Sequence, residues 1–328
     1  MLGAGIYAPH PLSGPMVGSF LTVRGLIACG PKGRGVVRAL VTGGSGFLGR
    51  HVAQRFKESG HEVSVFDLRP NADFPTFVGD LLDRDAVRQA VEGHDVVCHI
   101  GAIGDVYLAA QDPGLAAAVN VTGTAHVCQA AAAAGARVVY ASTWEVYGRP
   151  EYEPVDEDHR CEPDHPYNIT KLAGERLVLA ADRLQGVSTL ALRLGTAYGS
   201  GLRPNSVFRI FIDRARRGEP ITIQGDGSQA RQFTHASDLA EAFLLAALSD
   251  LRGTALNALA PEAVSIKQLA EVVIARYPTE LIFGPARPGD VPPSVVSSAR
   301  IQTLLGWTSR VSFEEGMSDL MDSLERGD

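Results

Sequence analysis

Tyr167 and Lys171 stand four residues apart in Tyr167-Asn168-Ile169-Thr170-Lys171, so on a helix they share one face. Of the 30 Lys and Arg residues in the chain, only Lys32, Lys57, Lys171 and Lys267 are lysines. The chain uses Arg wherever a plain cation suffices, so a Lys paired with a Tyr carries more information than usual. An ammonium beside a phenol favours the phenolate, which lowers the tyrosine pKa toward neutrality and makes Tyr167 a candidate general base. The competing reading is a surface pair that steadies one helical turn. Thr143, in Ser142-Thr143-Trp144-Glu145-Val146-Tyr147-Gly148, supplies a hydroxyl able to hydrogen-bond a reacting oxygen and share a proton with Tyr167. Glu145 adds a carboxyl group, either for acid–base work or to hold a loop N–H.

A second constellation lies near the start of the chain. Gly43, Gly46 and Gly49 fall at intervals of three in Thr42-Gly43-Gly44-Ser45-Gly46-Phe47-Leu48-Gly49. Between a strand and a helix, such glycines permit a tight turn, close approach of backbone to a pyrophosphate, and tight helix–strand packing. The free N–H groups and partial positive charge of the helix amino end, from Phe47 and Leu48 onward, then suit phosphate. Asp67 follows 18 residues after Gly49, where a carboxylate accepts both ribose hydroxyls and disfavours a 2′-phosphate. That points to NAD over NADP. Arg69 pulls the other way, since a nearby Arg accommodates a phosphate, and Asp67 as a simple turn cap is the plain alternative. Asp80, in Gly79-Asp80-Leu81, would reach the adenine amine.

These residues need positioning elements, and the pattern provides them. Short apolar strands are predicted at 37–41, 62–66, 76–78, 95–100, 137–141 and 188–194. Helices alternate with them at 47–57, 83–91 (with Asp83 as cap), 115–134 and 167–184. Alternation over about 160 residues implies a doubly wound, parallel α/β sheet with its strand tips delivered to one crevice. Past Gly195 the alternation weakens, and helices at 206–217, 237–248 and 265–275 are joined by loops. The expected organisation is an N-terminal extension over 1–37, read as a flexible tail or an upstream misassigned start; a Rossmann domain over 38–195; and a smaller, mostly helical substrate-binding region over 196–328. Segments near 230–260 return to the Rossmann domain.

Composition narrows the class. The chain has 328 residues, 45% hydrophobic and 20% charged, with a formal net charge of -7. A broad nucleic-acid-binding face is not expected at that charge. No apolar run is long enough to suggest a membrane span. The four cysteines, Cys29, Cys98, Cys128 and Cys161, show no metal-ligand spacing, so no metal site is expected and a reduced, cytoplasmic setting is.

Taken together, residues 37–325 resemble the extended short-chain dehydrogenases/reductases, in particular the NAD-dependent epimerase/dehydratase group that acts on nucleotide sugars. The resemblance rests on Thr42–Gly49, Asp67, Gly79–Leu81, Asn120, Ser142–Gly148, Tyr167–Lys171, Arg193–Gly199, Gly225–Asp238 and Arg287–Asp290. It implies that Thr143, Tyr167 and Lys171 form a catalytic triad supported by Asn120. Gly43, Gly46, Phe47, Leu48, Gly49, Asp67, Asp80, Leu81 and Lys171 would hold NAD. Arg231 and Arg287 would reach the substrate diphosphate, where a planar guanidinium matches phosphate oxygens. Thr196 stands where relatives carry an Asn on that diphosphate, so it and Asn120 join the expected substrate-binding set. Ser297-Ser298 stand where an Asp commonly precedes the final helix.

The resemblance also bears on the reaction. Relatives that dehydrate the sugar carry Asp-Glu after the catalytic Thr, and this chain has Trp144-Glu145. Decarboxylases carry Thr-Ser-Glu; Glu145 fits them and Trp144 does not. The expected activity is nucleotide-sugar 4-epimerisation, on a UDP-sugar first of all. Bound NAD would oxidise carbon 4, the keto sugar would rotate, and reduction would follow on its other face. A UDP-glucuronate-type decarboxylase, a 4-ketoreductase, and a cofactor-binding sensor that has lost catalysis are the alternatives. Such relatives pair as homodimers through the helices at about 112–135 and 167–185.

Overall fold

A computed structural model of the chain describes residues 35–285 and 295–327. Nearly all of the N-terminal extension lies outside the described residues, as do Arg287 and Asp290. Along the chain run β1 (Arg38–Thr42), α1 (Phe47–Glu58), β2 (Glu62–Asp67), β3 (Thr76–Val78), α2 (Arg84–Val91), β4 (Val96–His99), α3 (Val106–Gln111), α4 (Pro113–Ala117) and α5 (Thr124–Ala134). They continue with β5 (Arg137–Thr143), α6 (Pro166–Gln185), β6 (Thr189–Leu194), β7 (Thr196–Tyr198), α7 (Val207–Arg216), β8 (Ile221–Gln224), β9 (Ala230–Arg231) and β10 (Phe233–His235). The last are α8 (Ala236–Leu248), β11 (Thr254–Ala258), β12 (Val264–Ser265), α9 (Ile266–Arg276), β13 (Leu281–Gly284), α10 (Ala299–Leu305) and α11 (Phe313–Arg326).

Seven strands form one parallel sheet in the order β11-β6-β5-β4-β1-β2-β3. The order reverses between β1 and β4, and a crevice opens there at the carboxyl tips. Both faces are covered, which is why β5 and β6 are buried along their whole length. Alternate residues feed opposite cores. Val41, Val65, Val139 and Leu192 pack on one face with Val52 and Phe56 of α1 and Leu239 and Phe243 of α8. Leu40, Phe66, Val138 and Ala191 pack on the other with Val87 of α2, Val127 of α5 and Val178 of α6. Each such large side chain contributes roughly 1.5–3 kcal/mol by leaving water. A third core gathers Tyr198, Phe208, Phe233, Leu269, Phe313 and Leu320, with Tyr198 stacked on Phe208 at 5.2 Å.

Two features add to the expected pattern. The helix over 115–134 contains a π-helical turn, Ala118–Gly123, between α4 and α5. Asn120 sits in that turn with its side chain committed to groups off the helix axis, a common setting for such a bulge. The region after 195, mostly helical as expected, also holds short strands. It contains three two-stranded sheets, β10-β7, β12-β9 and β13-β8, whose strands of two to four residues are too short to register as alternation. Among the described residues no helix is long and apolar enough to cross a membrane.

Candidate active site

α6 is built to begin beside the sheet tips. Pro166 occupies its first turn, where its missing N–H costs nothing. The His165 ring accepts the Tyr167 amide at 3.2 Å, and Gly186 ends the helix in a left-handed conformation, φ 71°. Tyr167 and Lys171 therefore start a rigid 20-residue rod, and both line a cleft of about 500 Å³ at the strand tips. Thr143 enters that cleft from the end of β5, and its hydroxyl accepts the Glu145 amide at 3.3 Å. Trp144, Glu145, Thr196 and Arg203 line the same cleft.

The electrostatics differ from the simple phenol–ammonium picture. Burial pulls the Lys171 pKa down to about 7, with Glu175 opposing the fall. Its Nζ stands 4.3 Å from the centre of the Tyr140 ring, a cation–π contact. Tyr167 is not lowered toward neutrality. Burial pushes it above the ordinary tyrosine value, the Glu145 charge adds to the rise, and Arg203 opposes it. Desolvation of the phenolate outweighs the cations nearby. Burial likewise raises Glu145, against the pull of Arg231.

The glycine turn fits a dinucleotide phosphate. Gly43 lies at φ +69°, and a Cβ there would meet Gly101 backbone at 2.8 Å. A Cβ on Gly49 would lie 2.1 Å from the Gly43 carbonyl oxygen, so only glycine lets α1 start this close to β1. Gly46 caps α1 with no side-chain bond, and the first turn carries no acidic residue, which leaves that amino end to an anion. Gly43, Gly46, Phe47, Leu48, Gly49 and Asp67 all line the cleft. Asp67 does brace a turn, accepting the Ser45 amide at 3.1 Å and the Arg69 amide at 3.2 Å. A carboxylate has about four acceptor sites, so two remain for ribose hydroxyls. These donors and this cradle suit NAD.

Other expected residues stand further back. Asp80 is exposed, accepts the Leu82 amide at 2.9 Å, and is not on the cleft wall; Leu81 is buried against Gly101 and Gly123. Asn120 does not reach the cleft wall as a substrate ligand. It is 1% exposed, exchanges two hydrogen bonds with the Ile103 backbone, and donates to the Thr170 hydroxyl at 3.0 Å. Thr170 in turn donates to the Tyr167 carbonyl at 2.8 Å, so Asn120 braces the first turn of α6. Arg231 is half-buried, is not on the cleft wall, and donates to the Ala230 carbonyl at 2.8 Å; its charge reaches Glu145. Arg287 lies outside the described residues. Among the described residues no group of three or more His, Cys, Asp or Glu could hold a metal ion.

Arg203 was not singled out from the sequence. It lines the cleft and bridges it, pairing with Asp105 at the amino end of α3 at 3.3 Å, beside Asn205 on the same carboxylate at 2.9 Å. One Arg among many in this chain gave no signal. Ile100, Gly101 and Ala102 beyond β4 also form the wall.

The family model for the NAD dependent epimerase/dehydratase family matches residues 39–258. A solved structure of MoeE5 in complex with UDP-glucose and NAD is 34% identical, with a TM-score of 0.82 over 88% of this chain and 99% of that one. A UDP-glucose 4-epimerase from Mycolicibacterium smegmatis is 30% identical over 87% of this chain and 98% of its own length. A UDP-N-acetyl-alpha-D-glucosaminuronate decarboxylase from Bacillus cytotoxicus is 28% identical over 86% of this chain and 96% of its own.

Proposed function

The chain belongs to the NAD dependent epimerase/dehydratase family, and from that premise we propose that it is a nucleotide-sugar 4-epimerase acting on a UDP-sugar. Its cofactor is NAD. The observation that carries the reading is the convergence of Thr143, Tyr167 and Lys171 on the cleft that holds the glycine turn. When bound, NAD supplies the two-electron acceptor for carbon 4 and, in its oxidised form, a positive charge that favours the phenolate.

The chain's own residues do the rest. Tyr167 takes the proton from the carbon-4 hydroxyl, and Thr143 hydrogen-bonds that oxygen as it becomes a ketone. Lys171 holds positive charge under the site, its ammonium seated on the Tyr140 ring. Thr196 and Arg203, which line the same cleft, are assigned to the sugar and diphosphate. Arg231 and Arg287 are assigned to the diphosphate, Arg231 after a side-chain turn away from Ala230. Anchoring there leaves the keto sugar free to present either face. Returning the proton from Tyr167 after re-reduction completes the inversion.

Decarboxylation of a UDP-hexuronate is the second reading. The half-buried carboxyl of Glu145 in the cleft wall favours it, and Trp144 beside it does not. Incubation with UDP-glucose, UDP-N-acetylglucosamine and UDP-glucuronate, read by sugar proton couplings, separates the two. The proposal expects the axial-hydroxyl epimer without added cofactor; carbon dioxide and a pentose would replace it with the second reading.

The division at about 195 into cofactor-binding and substrate-binding parts belongs to the same reading. So does a homodimer through α4–α6, supported by the exposed Leu115, Ile169, Leu177 and Leu184 and tested by analytical ultracentrifugation. A cytoplasmic setting is supported by the free thiols of Cys98, Cys128 and Cys161.

A further inference from the structure

One buried ion pair is not used by the chemistry above. Glu175 lies one helical turn beyond Lys171 on α6 and is 0% exposed; Arg193, on β6, is 4% exposed. Arg193 grips the carboxylate in two-pronged fashion, Nε to Oε2 at 3.1 Å and Nη2 to Oε1 at 2.7 Å. The Ser142 hydroxyl donates to Oε2 at 2.6 Å. Ser142 immediately precedes Thr143, and Arg193 immediately precedes Leu194 and Gly195 of the cleft wall. One carboxylate thus ties together the three segments that carry Thr143, Lys171 and this part of the cleft wall. The tie runs on: Arg193 Nη1 donates to the Tyr147 hydroxyl at 2.8 Å, which donates to Asn257 at 2.6 Å.

Burying a charge pair this completely is a poor way to gain stability, because desolvation consumes most of the attraction. A purely structural clamp between these elements could have been apolar. We propose that Glu175, held by Ser142 and Arg193, is the positioning residue of this site: its clamp holds the turn of α6 that carries Lys171 against β5 and sets a negative charge one helical turn from the Lys171 ammonium. The inference rests on Lys171 facing the NAD cleft and not on which sugar is turned over.

The groups around Lys171 make Glu175 the one that can do this. From β5, Tyr140 presents its ring face, with its hydroxyl donating to the Lys171 carbonyl at 3.3 Å. From β4, His99 is held neutral, its pKa lowered to about 3 by burial and then by the Lys171 charge, while its ring nitrogens meet Thr42 at 2.8 Å and Thr124 at 3.0 Å. From the π-helical turn, Asn120 is uncharged. On α6 itself, Tyr167 is driven toward its neutral form by burial. Glu175 is the group that opposes the burial of Lys171.

Having four lysines makes the test direct. The full chain labelled with 13Cε-lysine gives four side-chain resonances, and Lys171→Arg identifies the one of interest. Its titration is followed by NMR in wild type, Glu175→Gln and Glu175→Asp. The expected result is a midpoint at least tenfold lower in proton affinity in Glu175→Gln, restored toward wild type in Glu175→Asp. A Glu175→Gln midpoint within twofold of wild type overturns the proposal. Should Glu175→Gln not fold, the double variant Glu175→Gln/Arg193→Met removes the stranded cation. There too a lowered Lys171 midpoint is expected, and an unchanged one refutes the role. None of these readouts uses turnover, so failure of the 4-epimerase reading leaves them standing, and their failure leaves that reading standing.

Discussion

Lys171→Met should make the protein more stable and inactive, and the gain should depend on pH in a calculable way. Lys171 is 3% exposed, and burial takes its pKa from the ordinary 10.5 to about 7. Because the folded value is the lower one, folding is penalised while the unfolded chain holds a proton that the folded one gives up. The penalty is complete below pH 7 and is relieved as pH rises from 7 toward 10.5. Linkage gives about 5 kcal/mol at pH 6 and about 2 kcal/mol at pH 9. Methionine carries no proton and is close in length, so it escapes the penalty and loses only the cation–π contact, on the order of 1–2 kcal/mol. Urea unfolding of both proteins at pH 6, 7, 8 and 9 measures the gap. It should favour Lys171→Met and shrink by roughly 2–3 kcal/mol between the ends of that range. A gap that stays constant with pH would show that Lys171 titrates as an ordinary exposed lysine, and the buried-cation picture would be wrong.

Other outcomes follow from the same geometry. Tyr167→Phe should cut turnover by about 10²–10⁴-fold while the purified protein still carries NAD, measured by steady-state assay and by extracting the nucleotide; full turnover would remove Tyr167 as the base. Since the Glu145 charge raises the Tyr167 pKa, Glu145→Gln should lower it. The acid limb of kcat/KM should then move to lower pH with epimerisation retained, whereas a decarboxylase would be crippled. Gly49→Ala places a Cβ 2.1 Å from the Gly43 carbonyl, so NAD content after purification should drop well below one per chain.

Much of the fold was legible because its signals are local. The β1 run, the three glycines and the start of α1 follow one another within a dozen residues, and Asp83 caps α2 as its type predicts, accepting two amides at 3.0 Å. The Tyr167–Lys171 pair was readable for the same reason. What escaped depends on contacts between distant segments. Asn120 sits in a π-helical turn because Ile103 and Thr170 claim its side chain, and nothing within 115–134 announces that. The direction of the Tyr167 shift was misread because spacing reports a neighbour's charge but not the burial that outweighs it. Arg203 reaches the cleft by way of a loop whose course is set by Asp105, 98 residues earlier. The short strands after 195 pair across the region and carry too few residues to show a period.

The most direct examination of transient oxidation at carbon 4 uses the turned-over UDP-sugar carrying deuterium at that carbon, in ordinary water, with mass and proton spectra taken of the epimer. The account predicts that the deuterium remains on carbon 4 with inverted configuration, because the same hydride leaves and returns without exchanging with water. Loss of the label to solvent would contradict it.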